Sequence, residues 1–247
     1  MSDVLILSGR CLRLSRRQLD ALMTAVLLPV ILMVTFVELF GGAIHTGGKY
    51  VTYVVPGVLI LCAGFGSALT AVSVCQDARG GIVDRFRAMD VNGAALLGGH
   101  VVASVVRNAV STALVIGIAF ALGFRPHAGA LNWVAAVAIL LAFVAAVSWF
   151  AAVLGLLASS PEAANGWTFL IVFLPYASSA FVPADTMPHW LQGFARHQPI
   201  TPLTETLRGL LLGTPIGSDA WIALAWCAGI LTLSVAAAAA LFARRTD

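Results

Sequence analysis

Six apolar stretches, each about 20 residues long or more, constrain this chain more than any other feature of its sequence. They are approximately 21 to 40, 52 to 74, 101 to 122, 133 to 157, 164 to 182 and 220 to 242. A helix needs about 20 apolar residues to cross a hydrocarbon core of roughly 30 Å, because it rises about 1.5 Å per residue. Each stretch therefore predicts one membrane-spanning helix.

The composition agrees with a membrane-embedded chain. Sixty per cent of the 247 residues are apolar and ten per cent are charged, whereas soluble proteins have roughly 45–50% and 25%. Lipid-facing backbone must satisfy its own hydrogen bonds, and barrel strands would alternate apolar with polar residues. We predict an all-α integral membrane protein, in which 1–247 is a single transmembrane domain.

The basic residues predict how the spans are oriented. With a cytoplasmic N-terminus, that side holds nine of them: Arg10, Arg13, Arg16, Arg17, Arg79, Arg85, Arg87, Arg244 and Arg245. The other side holds four: Lys49, Arg125, Arg196 and Arg208. Short cytoplasmic loops carry the excess of Lys and Arg, so both termini are predicted to be cytoplasmic. Arg107 is placed near the inner end of the third span, where its side chain can reach the interface.

Residues 1–20 precede the first span and are too charged to cross a membrane. Between residues 3 and 20, one helical face carries Val4, Leu7, Cys11 and Leu14, and another carries Arg10, Arg13, Arg17 and Asp20. This pattern predicts an amphipathic helix at the membrane interface. A solvated helix without membrane contact is the alternative.

The segment 77–91 is polar although apolar spans lie on both sides of it. Ile82, Phe86 and Met89 form one apolar stripe at helical spacing. The charged residues Asp84, Arg85 and Arg87 lie on other faces of the predicted helix. Gly80 and Gly81 precede this stripe and allow the chain to reverse. We predict a short cytoplasmic helix docked on a protein surface; a helix lying on lipid headgroups is the alternative.

The segment 183–219, between the fifth and sixth spans, contains five prolines. Thr186-Met187-Pro188 is predicted to begin one short helix, and Thr201-Pro202 a second that ends at Gly213. The two would form a hairpin that dips into the outer leaflet. An ordinary capping loop is the alternative. The sixth span and a cytoplasmic tail occupy 220–247.

The fifth span is predicted to begin at a helix cap, Ser160-Pro161-Glu162. Phe169, Phe173 and Tyr176 share one of its faces, and Pro175 interrupts its hydrogen-bond ladder. Helix packing with a proline kink explains this pattern without any further function.

Motifs for catalysis are missing from the sequence. A Walker A motif needs a lysine within its glycine-rich pattern, and the only lysine, Lys49, is not in one. No HExxH, CxxC or GxSxG occurs, the four cysteines have no metal-ligand spacing, and no Lys/Arg cluster indicates nucleic-acid binding. No predicted span carries a charge at its centre, which argues against ion-driven transport. An ion-coupled secondary transporter and a membrane-embedded scaffold or enzyme remain alternatives.

The order of these elements, together with 80-GGIVDRFRAM-89 and 181-FVPADTMPHWLQGFARHQPITPLTETLRGLLLG-213, resembles the permease subunits of ABC type-2 exporters, in particular their daunorubicin-resistance branch. The resemblance implies a coupling helix over 77–91 that docks into a separate P-loop ATPase. The coupling interface would comprise Asp77, Gly80, Gly81, Ile82, Asp84, Arg85, Phe86, Arg87 and Met89. The substrate path would comprise Phe65, Phe169, Phe173, Tyr176 and Ser178. The outer lid would comprise Pro188, Trp190, Pro199, Pro202, Glu205 and Arg208.

The resemblance also implies the partners of the chain. Two ATPase copies would carry ATP and Mg, while this chain would hold no cofactor and no metal. A second permease, identical or homologous, would complete an exporter of hydrophobic drugs or lipid-like molecules in a bacterial cytoplasmic membrane.

Overall fold

The computed structural model describes residues 7–11, 13, 19–44, 49–81 and 93–244. All regular structure within these ranges is helical, which confirms the predicted all-α class for this part of the chain. The helices are α1 (Leu19–Thr35, continued by a π-helical turn, Phe36–Phe40), α2 (Tyr50–Arg79), α3 (Gly93–Ala121), α4 (Ala130–Leu157), α5 (Pro161–Phe173), α6 (His189–His197), α7 (Ile200–Leu212) and α8 (Asp219–Arg244).

Four helices in the described ranges have the length and hydropathy of membrane spans: α2, α3, α4 and α8. They correspond to the second, third, fourth and sixth apolar stretches of the sequence. The first stretch contributes a shorter apolar helix, Ala25–Phe40. The count of six crossings therefore stays a prediction.

The fifth apolar stretch is not one continuous helix. Its α-helix ends at Phe173 after 13 residues, and a 3-10 turn, Leu174–Ala177, follows it. Pro175 lies in that turn and has no backbone N–H to continue the ladder. Thirteen residues rise only about 20 Å. The predicted cap at the other end is confirmed, since Ser160 Oγ accepts a hydrogen bond from the backbone N–H of Ala163 at 3.1 Å.

Helix α2 is the central helix of the bundle and packs against α3, α4 and α5. Its close approach to the chain that follows α5 depends on Gly57, where a Cβ atom would lie 2.8 Å from the carbonyl oxygen of Ala180. Its approach to α4 depends on Gly155, where a Cβ atom would lie 2.4 Å from the carbonyl oxygen of Ala71. Small residues thus bring three backbones together along α2.

The predicted pair of short helices between α5 and α8 is confirmed as α6 and α7, and the second ends at Gly213, which has a φ of 72°. The predicted caps are wrong. Pro188 and Pro199 occupy the N-cap positions. The hydroxyls of Thr186 and Thr201 instead donate to the carbonyl oxygens of Pro183 and Ala195. Helix α7 packs against α2, α4 and α8, so it lies within the bundle.

Residues 7–11, within the predicted interfacial helix, are helical. Leu7 and Cys11, on the predicted apolar face, are buried against protein, and Arg13 is exposed. The Leu7 backbone lies directly over Gly99 of α3, where a Cβ atom would come within 3.1 Å of it. The apolar face at these two positions therefore contacts the bundle itself.

Candidate functional site

A buried carboxylate lies near the C-terminal end of α2 and holds two other segments. Asp77 accepts two hydrogen bonds from the Arg10 guanidinium, at 2.9 and 3.3 Å. His100 Nε2 of α3 lies 3.0 Å from the same carboxylate. Since an ionised carboxylate only accepts hydrogen bonds, Nε2 carries the proton in this contact. These three residues, Arg10, Asp77 and His100, are the elbow cluster.

The elbow cluster joins the N-terminal segment to the ends of α2 and α3 that flank the predicted coupling helix. The hydrogen bond to Asp77 raises the pKa of Arg10 above its ordinary value. Asp77 is buried, and its carboxylate accepts hydrogen bonds from residues of its own chain. Its place in the coupling interface stays a prediction. Residues 77–79 of the predicted segment belong to α2, which extends beyond the predicted span end at 74. Helix α2 ends at Arg79, directly before Gly80 and Gly81, the glycines predicted to let the chain reverse, and Gly81 has a φ of 69°. The remaining coupling residues, Ile82, Asp84, Arg85, Phe86, Arg87 and Met89, lie outside the described residues.

A charged side chain lies at the middle of α3, one of the helices that have the length and hydropathy of membrane spans. Arg107 is the fifteenth of the 29 residues of α3 and is buried. Its Nη2 donates to the carbonyl oxygen of Gly66 at 3.0 Å and to Thr70 Oγ1 at 2.9 Å, both on α2. Helix α3 begins at Gly93, eight residues before the predicted start of the third span, so Arg107 lies further along this helix than along the predicted span. Its location near the inner end of the membrane stays a prediction.

Polar side chains continue from Arg107 into the α3–α4 contact. Asn108 Nδ2 donates to the carbonyl oxygen of Ser104 at 3.0 Å, and Ser148 Oγ of α4 donates to Ser104 Oγ at 2.8 Å. All four residues are buried. Polar groups inside a membrane bundle hydrogen-bond across helices in this way. The network was not predicted; its signal in the sequence is the Ser104, Arg107, Asn108, Ser111 repeat, which follows one helical face.

At the opposite end of α2, Arg208 of α7 binds two backbone carbonyl oxygens. Its Nη2 donates to Ser179 at 3.0 Å and to Tyr53 at 3.1 Å, and its Nη1 donates to Glu205 Oε1 at 2.6 Å. The guanidinium carbon also lies 3.8 Å from the centroid of the Tyr53 ring, a cation–π contact. We call these four residues, Tyr53, Ser179, Glu205 and Arg208, the hairpin latch.

Two of the predicted lid residues, Glu205 and Arg208, are in the hairpin latch, and the other four are distributed around it. Pro202 is buried, while Pro188 and Pro199 begin α6 and α7. Trp190 is 80% exposed. Further hydrogen bonds hold the same region: Gln198 Nε2 donates to the carbonyl oxygens of Leu174 and Ala177, and the Tyr50 hydroxyl donates to that of Phe181.

Six aromatic rings form a continuous row along α5, the turns that follow it and the end of α1. In order they are Phe169, Phe173, Tyr176, Phe181, Phe36 and Phe40, with ring centroids 5.9, 5.9, 5.1, 4.7 and 5.3 Å apart. Phe169 and Phe173 are 49% and 60% exposed. These six residues are the aromatic row. The structure thus extends the predicted three-residue face by three rings from other segments.

Two predicted path residues are not in the aromatic row. Phe65 of α2 is partly buried against the core, and the ring contacts between described residues do not include it. Ser178 is fully buried, and its hydroxyl donates to the carbonyl oxygen of Pro175 at 2.6 Å and accepts from the backbone N–H of Ala180 at 3.1 Å. Ser178 therefore stabilises the turn after α5, and its place on the substrate path stays a prediction.

Phe36, Phe40 and Phe181 of the aromatic row were not predicted. Phe36 and Phe40 lie four residues apart, which is a visible sequence signal. Phe36 stacks on Phe181, which is 145 positions further along the chain, and this contact depends on how the turns that follow α1 and α5 pack against α2. No local pattern could have indicated that contact.

The chain belongs to the ABC-2 type transporter family, whose sequence model matches residues 2–212. The matched range includes the elbow cluster, the aromatic row and the hairpin latch.

Two bacterial relatives give this match more detail. The chain is 32% identical over 214 residues to the daunorubicin resistance ABC transporter permease protein DrrB1 of Streptomyces coeruleorubidus, covering 86% of this chain and 76% of that protein. It is 26% identical over 237 residues to the "Probable doxorubicin resistance ABC transporter permease protein DrrC" of Mycobacterium tuberculosis, covering 93% of this chain and 84% of that protein.

Proposed function

We propose that this chain is the membrane-spanning permease subunit of an ATP-driven exporter that moves hydrophobic drug or lipid-like molecules out of a bacterial cell. The observation that carries the proposal is the family match over residues 2–212, within which relatives are named as drug-resistance permeases. The protein would lie in the cytoplasmic membrane. Helix α1 and the broken segment after Ser160 would supply the crossings beyond the four long helices, with both termini in the cytoplasm.

The energy for transport would come from another polypeptide. This sequence has no Walker A motif, so two copies of a P-loop ATPase would bind ATP and Mg. A second permease, identical or homologous, would complete the membrane part. The chemistry on this chain is differential binding between two conformations.

Force from the ATPase would enter the permease through the segment 82–90. This segment connects the ends of α2 and α3, and the elbow cluster ties both ends to the N-terminal segment through Asp77. A displacement of the coupling segment would therefore be transmitted to α2 and α3 together. Residues 186–213 would form the lid on the outer side, held to α2 by the hairpin latch.

The aromatic row would form part of the substrate path. Exposed aromatic faces on a membrane protein suit a flat, apolar substrate, because offset ring stacking adds roughly 0.5–1.5 kcal/mol to the burial of apolar area. Daunorubicin and doxorubicin, which appear in the names of the relatives, contain fused aromatic rings. We propose planar aromatic amphiphiles as the substrate class, with Phe173 as the most exposed ring of the row.

Transport in inside-out vesicles tests the class of transporter. The permease and its ATPase are co-expressed, and uptake of fluorescent doxorubicin is followed with ATP, with a non-hydrolysable analogue, and with ATP plus a protonophore. We expect uptake with ATP alone and with ATP plus protonophore. Uptake that survives ATP depletion but stops with the protonophore would identify an ion-coupled secondary transporter instead.

A pair of matched variants tests the path. Phe173→Ala removes a 60% exposed ring of the aromatic row, and Phe194→Ala removes a 53% exposed ring on α6, outside the row. If stacking stabilises the bound drug by about 1 kcal/mol, the half-saturating concentration of doxorubicin should rise about fivefold in Phe173→Ala. Phe194→Ala should leave it unchanged. Equal effects of the two substitutions would remove the aromatic row from the path.

A further inference from the structure

A cavity of about 160 Å³ lies between α2, α3, α4 and α7, in the half of the bundle nearer the hairpin. Aliphatic side chains form most of its wall, with Leu59 from α2, Leu140 and Val144 from α4, and Leu207 and Leu211 from α7. The lining contains no charged residue. Dry cavities of roughly 150 Å³ with aliphatic walls bind apolar molecules such as benzene. The cavity is therefore chemically suited to a hydrocarbon.

The cavity is elongated along α4. Its lining extends from Trp133 to Val144, which corresponds to about 16 Å of helix rise. Trp133 lines one end of the cavity and is near the start of α4. Tryptophan rings near the end of a membrane span favour the level of the lipid headgroups. A hydrocarbon chain bound in the cavity would run along α4 from this level toward the bundle centre.

The mouth of the cavity opens on the outer surface of two helices that qualify as membrane spans. Val137 and Leu141 of α4 line the cavity and are 48% and 37% exposed. Val110 and Leu114 of α3, beside the cavity, are 57% and 52% exposed. An apolar surface on a membrane span faces hydrocarbon, so acyl chains are the molecules most concentrated at this mouth.

Small side chains create the cavity. Ala109 and Ala113 of α3 are exposed at its mouth, and Ala136 of α4 is buried in its wall. A larger residue at either exposed position would fill the space. The cavity is therefore set by the choice of alanine at a few positions.

One residue connects the cavity to the polar network of α3. Asn108 lines the cavity, and its side-chain oxygen lies against Gly66 of α2, where a Cβ atom would come within 2.1 Å of it. Gly66 is also the residue whose carbonyl oxygen accepts from Arg107. An occupant of the cavity would thus touch the residue that packs α3 against α2.

We infer that this cavity is a binding site for one acyl chain of a membrane lipid from the leaflet at the hairpin end. The chain would enter past Val137 and Leu141 and pack between α3, α4 and α7. It would support the α2–α3 contact through Asn108. The site is separate from the aromatic row, and it does not depend on which molecule the protein transports.

Photo-crosslinking tests this inference without ATP or transport, so its outcome is independent of the proposed function. The full-length protein is placed in nanodiscs of phosphatidylethanolamine and phosphatidylglycerol with a diazirine midway along one acyl chain. After irradiation, labelled peptides are mapped by mass spectrometry. We expect labelling of 108–116 and 133–144 above that of α8 around Leu233, which is 74% exposed but outside the cavity.

Cavity-filling variants make the test specific. Ala113→Phe and, separately, Ala109→Leu should reduce labelling of both segments to the level found around Leu233. Val134→Phe, on the exposed face of α4 outside the cavity, should leave the enrichment unchanged. Size-exclusion profiles identify the variants that fold. If Ala113→Phe does not fold, Ala109→Leu decides the result.

Three outcomes would overturn the inference. Uniform labelling of all exposed apolar faces would show ordinary lipid contact. Enrichment that persists in both cavity-filling variants would place the chain elsewhere. Loss of lipid labelling on addition of doxorubicin would assign the cavity to the transported drug.

Discussion

The two ends of α2 are held by different kinds of contact. In the elbow cluster, the carboxylate of Asp77 receives hydrogen bonds from the side chains of Arg10 and His100. At the hairpin end, the side chains of Tyr50, Tyr53 and Arg208 donate to the backbone carbonyl oxygens of Ser179, Phe181 and Tyr53. The first contact depends on one charge, whereas the second depends on the path of the backbone.

This difference suggests how one helix can serve two tasks. A side-chain ion pair forms or breaks with small rotamer changes, so under the proposed function the elbow cluster would rearrange when the ATPase displaces 82–90. Hydrogen bonds to a fixed backbone turn keep the hairpin in place unless the turn itself moves. With 30 residues, α2 is about 45 Å long, so a tilt at the elbow reaches the latch. Substitutions at the two ends should therefore differ in size and character.

The largest effect is expected at the hairpin latch. Arg208→Ala would remove three hydrogen bonds and the cation–π contact with Tyr53 from a buried site. It would leave two carbonyl oxygens without this donor, and we expect a loss of about 3 kcal/mol in the free energy of unfolding. Equilibrium unfolding by SDS titration in mixed micelles measures this change.

The control for Arg208 lies on the same hairpin. Arg196→Ala breaks an ion pair with Asp185 in which both side chains are largely exposed, 54% and 82%. Such a substitution should change the free energy of unfolding by no more than about 0.5 kcal/mol. If both variants lost the same stability, the latch would contribute no more than a surface ion pair.

A smaller loss is expected at the elbow cluster. Asp77→Asn keeps the shape of the side chain but removes the charge that Arg10 and His100 share. Because Arg10 is part-exposed, with 29% of its side chain accessible, water can solvate it, and we expect a loss of about 2 kcal/mol, below the value for a fully buried pair. The same SDS titration applies.

Hydrogen exchange locates the effect of Asp77→Asn. We expect faster exchange in 7–11 and at the end of α2, with no change in α7. Asp185→Asn, at an exposed position, is the control and should alter neither. Faster exchange in α7 after Asp77→Asn would mean that the two ends are not independent in the resting state.

The smallest effect is expected from a single hydroxyl of the latch. Tyr53→Phe removes the hydrogen bond to the carbonyl oxygen of Ser179, 2.9 Å long, but keeps the ring under Arg208. One neutral hydrogen bond contributes about 1 kcal/mol. In the SDS titration, Tyr53→Phe should therefore lose about a third of what Arg208→Ala loses. A loss as large as that of Arg208→Ala would show that the hydroxyl, and not the guanidinium, holds the turn.

Local sequence signals predicted the parts of the fold that depend on neighbouring residues. The cap at Ser160, the end of α7 at Gly213 and the glycine break at Gly80 and Gly81 after α2 are such cases. Each results from the conformational preferences or hydrogen-bonding groups of a few consecutive residues. The long apolar helices α2, α4 and α8 were predicted for the same reason, since their composition alone requires helices in a membrane.

The predictions that differ from the structure concern residues whose packing and hydrogen-bond partners come from distant segments of the chain. Gly99 and His100 look like a polar interruption before the third span. In the structure, the Leu7 backbone packs closely over Gly99 and the His100 side chain hydrogen-bonds to Asp77. Helix α3 therefore includes Gly99 and His100. The earlier start places Arg107 at mid-helix, where Gly66 and Thr70 satisfy its guanidinium. Pro175, by contrast, is a local signal: it interrupts the helix of the fifth apolar stretch as predicted, and α5 ends at Phe173.

The sequence by itself determined that this is an all-helical membrane protein, where most of its helices lie, and which polar segments interrupt them, because apolar length and helix signals are local properties. The tertiary structure alone decided which polar groups meet. The elbow cluster joins residues 67 positions apart and the hairpin latch joins residues up to 155 apart. Such contacts depend on the angles at which helices pack and on their close approach at glycine residues. Both are determined by the packing of all the helices together, so no short stretch of sequence predicts them.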